Sequence, residues 1–320
     1  MGDEKMKLGA DLSQYQYNLT EDLFRKLVDN GLAFVIFRSQ YINSLNKLVE
    51  DFQAPRFREL CSKYSIPCGQ YFYIYPGYSF DRQIQLSNTL VSKWGTNISF
   101  PDMEEYKNLS TGLPYDPNTL NTFYREYYNN LDGVKGIYTG DWFIKKYVPQ
   151  AAYWLANVDN LWWAWYYKYY FKWIYFIATL GPLGMSIPMD KLPTVVSWLE
   201  QQMSATVPGT MNTHWTIWQF ISDLKIKEMV NVSSYLGHFD FNVMRDEDYE
   251  RVFGDAPPIP PPPAKRYQAT TAVWIRSGGS LFYPKVGYLS MGEEVSIIEV
   301  VNGWANIGRG WVKESYLAPV

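Results

Sequence analysis

Apolar runs alternate with amphipathic stretches over the first half of the chain. A continuous apolar run such as residues 33–37 is typical of a strand buried on both faces. Apolar residues three and four apart, as over residues 20–30, predict a helix, and Gly31 ends that helix. The pattern predicts strands at 7–12, 33–37, 70–75, 97–103 and 134–138, and helices at 20–30, 43–65 with a break at Pro55, 81–93 and 120–130.

Strand–helix repetition at this spacing predicts a parallel sheet, and a closed barrel is the solution favoured at this length. Later in the chain the pattern loosens, with strands predicted at 161–166, 215–221 and 237–243 but no regular helices between them. A long excursion at 167–208 contains one predicted helix, 191–202. We therefore expect an α/β fold whose barrel is regular early in the chain and irregular late.

A proline-rich run, residues 256–264, separates this region from a C-terminal segment. Such a run forms a stiff polyproline spacer, although it could also be a ligand for an aromatic groove. Short strand patterns divided by glycine turns follow the run and predict a small β-barrel. The predicted strands are 272–276, 295–300, 304–307 and 310–312, and the predicted domains are 1–253, a linker at 254–266, and 267–320.

The composition disfavours several classes of protein. With 47% hydrophobic residues among 320, the chain is globular, and 29 Lys and Arg against 32 Asp and Glu give a net charge of −3. A chain so near neutrality has no overall field for nucleic acid or an anionic membrane. Two histidines and two cysteines nearly exclude a His-rich zinc hydrolase and a disulfide-dense module, and we expect no metal or other cofactor. We expect Cys61 and Cys68 to be free, packed thiols rather than a bridge.

The N-terminus is polar and has no apolar signal-peptide core, so we expect synthesis in the cytoplasm without a signal peptide. The most apolar stretch, residues 162–183, carries Lys168 and Lys172 and meets Pro182. Its uninterrupted part is shorter than the ~20 residues that a spanning helix needs, so no membrane span is expected.

Acidic side chains stand where predicted barrel strands end. Catalytic residues of a parallel β/α barrel lie at the carboxyl ends of its strands. Asp11 alone could be a turn or capping residue, and an Asp-x-Glu triplet alone is weak evidence, but four acids from three separate segments favour one acidic site. These acids are Asp11 in the first strand, Asp102 and Glu104 at the fourth, and Asp240 in the last.

Side chains two apart on a strand share one face, with their Cα atoms ~6.6–7 Å apart, so Asp102 and Glu104 can point into one mouth. Close carboxylates do not all ionise readily, so one pKa rises and that group becomes a general acid near neutral pH. Glycoside cleavage needs this pairing, because one group gives a proton to the leaving oxygen while an anion lies beside the developing cation.

The segment Asp11-Leu-Ser-Gln-Tyr-Gln16 resembles the opening Asp-x-Ser-x-x-Gln motif of glycoside hydrolase family 25, the Chalaropsis-type lysozymes. Asp102-Met-Glu104 is similar to the family's Asp-x-Glu pair. The resemblance implies an irregular flattened (β/α) barrel, TIM-like, with its late helices missing. The similarity continues in order over most of residues 6–245, through 34–39, 69–73, 136–139, 161–166, 218–219 and 239–243.

The same resemblance implies N-acetylmuramidase activity, the hydrolysis of the β-1,4 bond between N-acetylmuramic acid and N-acetylglucosamine in peptidoglycan. Glu104 would be the general acid, and Asp102 would stabilise the oxocarbenium-like state or orient the substrate's own acetamido group. Asp11 and Asp240 would complete the acidic mouth, and Gln219 is a candidate for substrate binding.

Aromatic residues make up 18% of the chain, and such rings are suited to stacking on sugar faces. Ordinary barrel core is the alternative for each of them, because alternate strand residues must face inward. The candidates for sugar stacking are Tyr73, Tyr138, Trp163 and Trp165.

Residues 267–320 resemble the bacterial SH3-like domain, both in a strand with Arg before a glycine turn and in the motifs Asn302-Gly-Trp and Gly310-Trp-Val. In wall hydrolases such a module binds cell-wall peptide or glycan, and a spacer without a ligand is the alternative. The expected partner is bacterial peptidoglycan, with its glycan in the barrel groove and its peptide or cross-bridge at the small domain.

Together these features predict an enzyme that acts on the bacterial wall as a phage or prophage lysin. A non-catalytic carbohydrate-binding protein on the same fold is the alternative, and the presence of all four acids disfavours it. A cell-wall amidase or peptidase would need a Cys–His or zinc constellation, which two histidines without metal-ligand spacing do not supply.

Overall fold

The computed structural model describes residues 5–108, 111–165, 188–203, 215–226, 238–254, 266–281, 283–297, 299–301, 303–307 and 309–320. The chain forms two compact units, Met1–Pro260 and Pro261–Val320. Residues 255–265 of the predicted linker, and residues 167–187 and 204–208 of the predicted excursion, lie outside the described residues.

Strands of the first unit close into a barrel, as the sequence predicts. They are β1 (Met6–Leu12), β2 (Leu32–Ile42), β3 (Leu48–Glu50), β4 (Cys68–Tyr73), β5 (Ser99–Met103), β6 (Ile137–Gly140), β7 (Leu161–Ala164), β8 (Ile217–Lys225) and β9 (His238–Arg245). The order around the barrel is β1-β2-β4-β5-β6-β7-β8-β9, and pairing of β9 with β1 closes it, while β3 pairs with β2 as a hairpin. Neighbours from β1 to β8 are parallel, whereas β9 is antiparallel to both β8 and β1.

Helices follow most of the barrel strands. They are α1 (Glu21–Asp29), α2 (Ala54–Lys63), α3 (Phe80–Trp94), α4 (Pro117–Asn130), α5 (Asp141–Tyr147), α6 (Ala151–Leu155), α7 (Leu192–Met203) and α8 (Asp246–Tyr249). The Thr20 hydroxyl accepts a hydrogen bond from the Leu23 amide at the start of α1, and Gly95 ends α3 with a left-handed φ of 53°. Helices α5 and α6 have 7 and 5 residues against 15 in α3, so the barrel does become irregular late.

The continuous apolar run in β2 serves two cores. Phe34 and Ile36 belong to an apolar cluster inside the barrel, whereas Val35 and Phe37 pack in the cluster that joins the strands to the helices. A Cβ atom on Gly9 of β1 would lie 2.2 Å from the Phe34 ring, so the inner cluster requires glycine there. Toward the carboxyl ends of the parallel strands the interior becomes polar, and its buried members are Asp11, Asp102, Gln219 and Asn242.

The predicted helix over residues 43–65 is wrong in its first half. Strand β2 runs on to Ile42, and the Asn43 side chain accepts hydrogen bonds from the amides of Leu45 and Lys47, which turns the chain back into β3. The helix α2 begins only at Ala54. Pro55 therefore lies in its first turn, where the missing N–H is harmless, and does not break a longer helix.

A proline inside a central strand needs an explanation, because it cannot donate to the ladder. Pro101 lies in β5 opposite Phe72 of β4. On its other side, β5 pairs regularly with β6 only from Asp102 onward, where Asp102 lies opposite Tyr138. The ladder is thus irregular at Pro101 and regular at the residue that follows it.

The second unit is all-β, as predicted, and consists of two small antiparallel sheets around a core of Ala269, Ile275, Leu289 and Val312. Its strands are β10 (Arg266–Ala269), β11 (Val273–Arg276), β12 (Lys285–Leu289), β13 (Glu294–Ser296), β14 (Glu299–Val301), β15 (Trp304–Asn306), β16 (Trp311–Lys313) and β17 (Leu317–Pro319). The sheet orders are β13-β10-β17 and β12-β11-β16-β15-β14. The sequence did not predict β10, β12 or β17, and it joined β13 and β14 into one strand.

Cys61 and Cys68 are buried free thiols, as expected. Burial, reinforced by the neighbouring Cys68 thiol, raises the pKa of Cys61 well above its ordinary value, so this thiol stays protonated and unreactive. Within the part of the chain that the structure describes, no helix combines the length and apolar character needed to cross a bilayer.

Candidate active site

A cavity of about 970 Å³ opens at the carboxyl ends of the parallel barrel strands, and all four predicted acids line it. Asp11 comes from β1, Asp102 from β5, Glu104 from the turn after β5, and Asp240 from β9. Strand β9 is antiparallel, so its beginning lies at this mouth, and Asp240 is directly opposite Asp11 in the ladder. The structure therefore brings together acids that are more than 200 residues apart in the sequence.

Asp11 is held by two amide side chains. Gln219 Nε2 and Asn242 Nδ2 both donate to Asp11 Oδ2, at 2.9 and 3.0 Å. These bonds favour the carboxylate form, but burial and the charge of Asp240 outweigh them and raise the pKa of Asp11 well above its ordinary value. Each amide is oriented in turn by an aromatic group, because Tyr138 Oη donates to Gln219 Oε1 at 2.9 Å and Trp162 Nε1 donates to Asn242 Oδ1 at 2.8 Å.

Asp102 is the most buried of the four acids, with 3% of its surface exposed. Its Oδ1 atom has no hydrogen-bond partner among the described residues. Burial raises the pKa of Asp102 well above its ordinary value, and the charges of Glu104 and Asp11 raise it further. Asp102 therefore keeps an unused hydrogen-bonding atom beside the cavity that it lines.

Glu104 is partly buried and has a pKa near neutrality. Burial is the main cause, followed by the charges of Asp240 and Glu105, and together they raise the pKa of Glu104 from 4.5 to about 7. The carboxyl group is thus protonated in about half of the molecules at pH 7. The pattern predicted a raised pKa within the Asp102–Glu104 pair, and Glu104 combines such a pKa with partial access to solvent.

The backbone after Glu104 is fixed by contacts that the sequence did not reveal. The buried Tyr124 hydroxyl donates to the Glu105 carbonyl oxygen at 2.6 Å. The Glu105 carboxylate accepts from the amides of Tyr106 and Lys107, at 3.0 and 2.9 Å, and from Tyr73 Oη at 3.4 Å. The turn that carries the proton donor is therefore well ordered by its neighbours.

The structure places the four aromatic candidates differently. Tyr73 lines the cavity and makes an edge contact with Tyr75, their ring centres 5.0 Å apart. Trp163 is only 5% exposed and belongs to the core between strands and helices. Tyr138 is buried and bonded to Gln219, and Trp165 is partly buried against the core, where its carbonyl accepts from Trp218 Nε1.

Of these four aromatic residues, only Tyr73 is found on the cavity wall among the described residues. Gln219 is 2% exposed, is not among the described residues of the cavity wall, and donates from Nε2 to Asp11 Oδ2. Among the residues of the cavity wall that the sequence did not single out are four tyrosines and one arginine: Tyr15, Tyr41, Tyr71, Tyr75 and Arg38.

The arrangement combines two properties that glycoside cleavage requires. A carboxyl group with a pKa of about 7 can give a proton to a leaving oxygen, and further acids in the same cavity can stabilise a developing positive charge. Among the described residues, no group of three or more His, Cys, Asp and Glu side chains has the arrangement needed to hold a metal ion.

Residues 271–318 match the family model of the bacterial SH3 domain, which confirms the resemblance stated for the C-terminal segment. The match covers only this segment, and no curated protein matches the chain significantly.

The chain is also similar to several solved structures. The catalytic domain of endolysin ply40, from a bacteriophage of Listeria monocytogenes, is 18% identical and has a TM-score of 0.47, with 78% of this chain and 98% of that one covered. A family 25 glycosyl hydrolase from Bacillus anthracis is 15% identical over 78% and 94% of the two chains, with a TM-score of 0.48. The Clostridium perfringens spore cortex lytic enzyme SleM is 16% identical over 98% and 97%, with a TM-score of 0.47. Identities this low leave the activity to be inferred from the side chains in the cavity.

Proposed function

We propose that the first unit is an N-acetylmuramidase, which hydrolyses the β-1,4 bond between N-acetylmuramic acid and N-acetylglucosamine in bacterial peptidoglycan. The observation that carries this proposal is the convergence of Asp11, Asp102, Glu104 and Asp240 on one cavity. The motif resemblance at Asp11 and at Asp102–Glu104 supplies the substrate class. The second unit, with its SH3-type sequence, binds the wall through peptide or cross-bridge and so concentrates the enzyme on its substrate.

Glu104 is the proton donor in the proposed reaction. Its proton passes to the glycosidic oxygen as the bond from that oxygen to the anomeric carbon breaks, so the leaving sugar departs as a neutral alcohol. A pKa of about 7 suits this step, because a large fraction of the molecules carries the proton at neutral pH and the group still gives up that proton readily.

Asp102 stabilises the oxocarbenium-like transition state, either directly or by orienting the substrate's acetamido oxygen toward the anomeric carbon. Two features support this assignment. The Oδ1 atom of Asp102 has no hydrogen-bond partner among the described residues, and Asp102 lies two residues before Glu104 in the chain. Asp11 and Asp240 complete the acidic wall, and the charge of Asp240 keeps the proton on Glu104 at neutral pH.

Digestion of purified peptidoglycan tests the proposal. The wild-type protein should release new reducing sugar ends without new free amines, and mass analysis of the products should place N-acetylmuramic acid at those ends. Free amines without reducing ends would instead indicate an amidase or peptidase. Binding to walls without any cleavage would favour the alternative of a carbohydrate-binding protein.

A matched pair of variants tests the role of Glu104. Glu104→Gln should lower turnover by about 100-fold or more, because general acid catalysis contributes roughly 10²–10⁴, while binding to whole walls persists. Glu59→Gln makes the same chemical change at an exposed position of α2 and should leave turnover unchanged. Near-normal turnover in Glu104→Gln would remove Glu104 from the mechanism.

A further inference from the structure

We propose that Arg38 recognises the free carboxylate of a muramic acid unit that carries no stem peptide, and so favours peptide-free glycan with this carboxylate over neutral glycan. This inference rests on the proposed function, since it concerns the substrate of the same cavity. Arg38 lies in β2 just after the apolar run, and it is the single cation among the described residues that line the cavity.

One edge of the Arg38 guanidinium is fixed by a buried acid. Arg38 Nε donates to Asp51 Oδ2 at 2.9 Å, and Asp51 is fully buried. The Asp51 carboxylate is itself held by two backbone N–H groups. That of Gln14 donates to Oδ2 and that of Gln53 donates to Oδ1, each at 3.0 Å. The arginine is therefore oriented before any ligand arrives, which lowers the entropy lost on binding.

Two tyrosine rings flank the guanidinium. The Tyr41 ring centre lies 4.3 Å from Arg38 Cζ, and the Tyr15 ring centre lies 5.5 Å from it. Tyr15 is 61% exposed, so this side of the arginine borders the open rim of the cavity. Both rings lie within cation–π distance of the guanidinium and so help to hold it beside the cavity.

One terminal nitrogen of Arg38 has no acceptor in the described part of the protein. The hydrogen bond to Asp51 comes from Nε, and Nη2 is buried without a hydrogen-bond partner. A purely structural ion pair would be expected to satisfy this donor, because an unpaired buried donor is unfavourable. The geometry of the guanidinium fork matches two carboxylate oxygens, which makes a carboxylate the best-fitting ligand.

The acids in the same cavity do not prevent an anion from binding there. Burial raises the pKa values of Asp11, Asp102 and Glu104, so the cavity carries less negative charge near neutral pH than its composition suggests. A neutral sugar would gain little from a fixed guanidinium, whereas a carboxylate gains a charge-assisted pair of hydrogen bonds.

Two versions of one substrate test the proposal. The first is peptidoglycan glycan freed of its stem peptides, in which each muramic acid bears its free carboxylate, and the second is the same glycan with those carboxylates reduced to alcohols. The wild-type protein should cleave the first with a kcat/KM about 10- to 100-fold higher, mainly through KM, as expected for a charge-assisted hydrogen bond. Arg38→Gln should lose this preference, so that its ratio of kcat/KM for the two glycans falls to about one.

The outcomes are distinguishable. Equal cleavage of both glycans by the wild-type protein would overturn the role of Arg38 and leave the proposed function intact, whereas cleavage of neither would overturn the proposed function itself. Because Arg38→Gln leaves Asp51 buried without its partner and can impair folding, Arg38→Gln/Asp51→Asn is the second variant and should show the same loss of preference.

Inhibition of the wild-type protein gives a test without any substitution. Free N-acetylmuramic acid should inhibit about tenfold more strongly than N-acetylglucosamine, and equal inhibition would contradict the inference.

Discussion

Gln219 Nε2 of β8 donates a 2.9 Å hydrogen bond to Asp11 Oδ2 of β1, which joins these two strands across the intervening β9. Asn242 of β9, which lies opposite Gln219 in the ladder, donates to the same oxygen. Two strands next to the point where the barrel closes therefore supply the side chains that favour the carboxylate form of Asp11. A change in Gln219 should affect the chemistry although this residue is not on the described cavity wall.

Substitution Gln219→Ala should lower kcat/KM by about tenfold. It removes a hydrogen bond that favours the Asp11 carboxylate, so the pKa of Asp11 rises further, and it removes the bond from the Tyr138 hydroxyl to Gln219, at a cost of about 1 kcal/mol in stability. The pH profile separates the two effects, because the acid limb of activity should move to higher pH. Gln85→Ala, at an exposed position of α3, is the control and should change neither quantity. A loss of stability without any shift of the profile would reduce Gln219 to a packing residue.

Substitution Asp240→Asn should move the alkaline limb of the pH profile to lower pH. The charge of Asp240 is the second cause, after burial, of the raised pKa of Glu104, so its removal lets Glu104 lose its proton at lower pH. Because a shift of one pH unit is tenfold in protonation, activity at pH 8 should fall by up to about tenfold, while activity at pH 5.5 falls less. The profile of kcat/KM on soluble glycan measures this, with the exposed Asp132→Asn as the control. An unmoved alkaline limb would show that Asp240 does not tune Glu104.

The acidic wall could be predicted from sequence because each of its members belongs to a strand-end segment. Asp11 and the Asp102–Glu104 pair follow apolar runs, and the rule that barrel sites lie at strand ends needs no knowledge of side-chain contacts. Asp240 lies in the cavity for a different reason. Strand β9 is antiparallel to its neighbours, so the start of this strand, rather than its end, lies at the carboxyl ends of the parallel strands. The pairing direction of that strand has no signature in a single sequence.

The contacts that surround the acids could not be predicted in the same way. Whether Gln219 points to a sugar or to Asp11 depends on the register of β8 against β9, which is set by barrel closure. The Arg38–Asp51 pair was hidden by the incorrect helix over residues 43–65, because Asp51 follows a hairpin that the apolar spacing did not indicate. Aromatic residues such as Trp163 are equally suited to core and to sugar, and only packing distinguishes the two.

Removal of residues 256–320 should weaken binding to whole walls by about tenfold or more and spare the cleavage of short soluble glycans. All four acids lie in the first unit, and the second unit has its own apolar core, so the deletion takes away no part of the cavity wall described here. Sedimentation with purified walls measures binding, and reducing-end release from soluble glycan measures catalysis. Unchanged sedimentation would make the SH3-type unit a spacer, and loss of soluble activity would show that the first unit needs the second.

Substitution Glu104→Gln should stabilise the protein at pH 8 while it abolishes most activity. The folded-state pKa of Glu104, about 7, lies above the ordinary value of 4.5, so between these pH values the folded protein binds more protons than the unfolded chain. The stabilisation from this group is thus fully present below about pH 4.5 and is lost as the pH rises through 7, a difference of at most roughly 3 kcal/mol. Glutamine does not ionise, so the variant should be more stable than the wild type at pH 8 and similar to it at pH 4.5.

Chemical denaturation at the two pH values measures this difference in stability, with Glu59→Gln as the control. Equal stability of Glu104→Gln and wild type at pH 8 would mean that the Glu104 carboxylate is well solvated in the folded protein, and the argument for its role as a neutral-pH proton donor would fail with it.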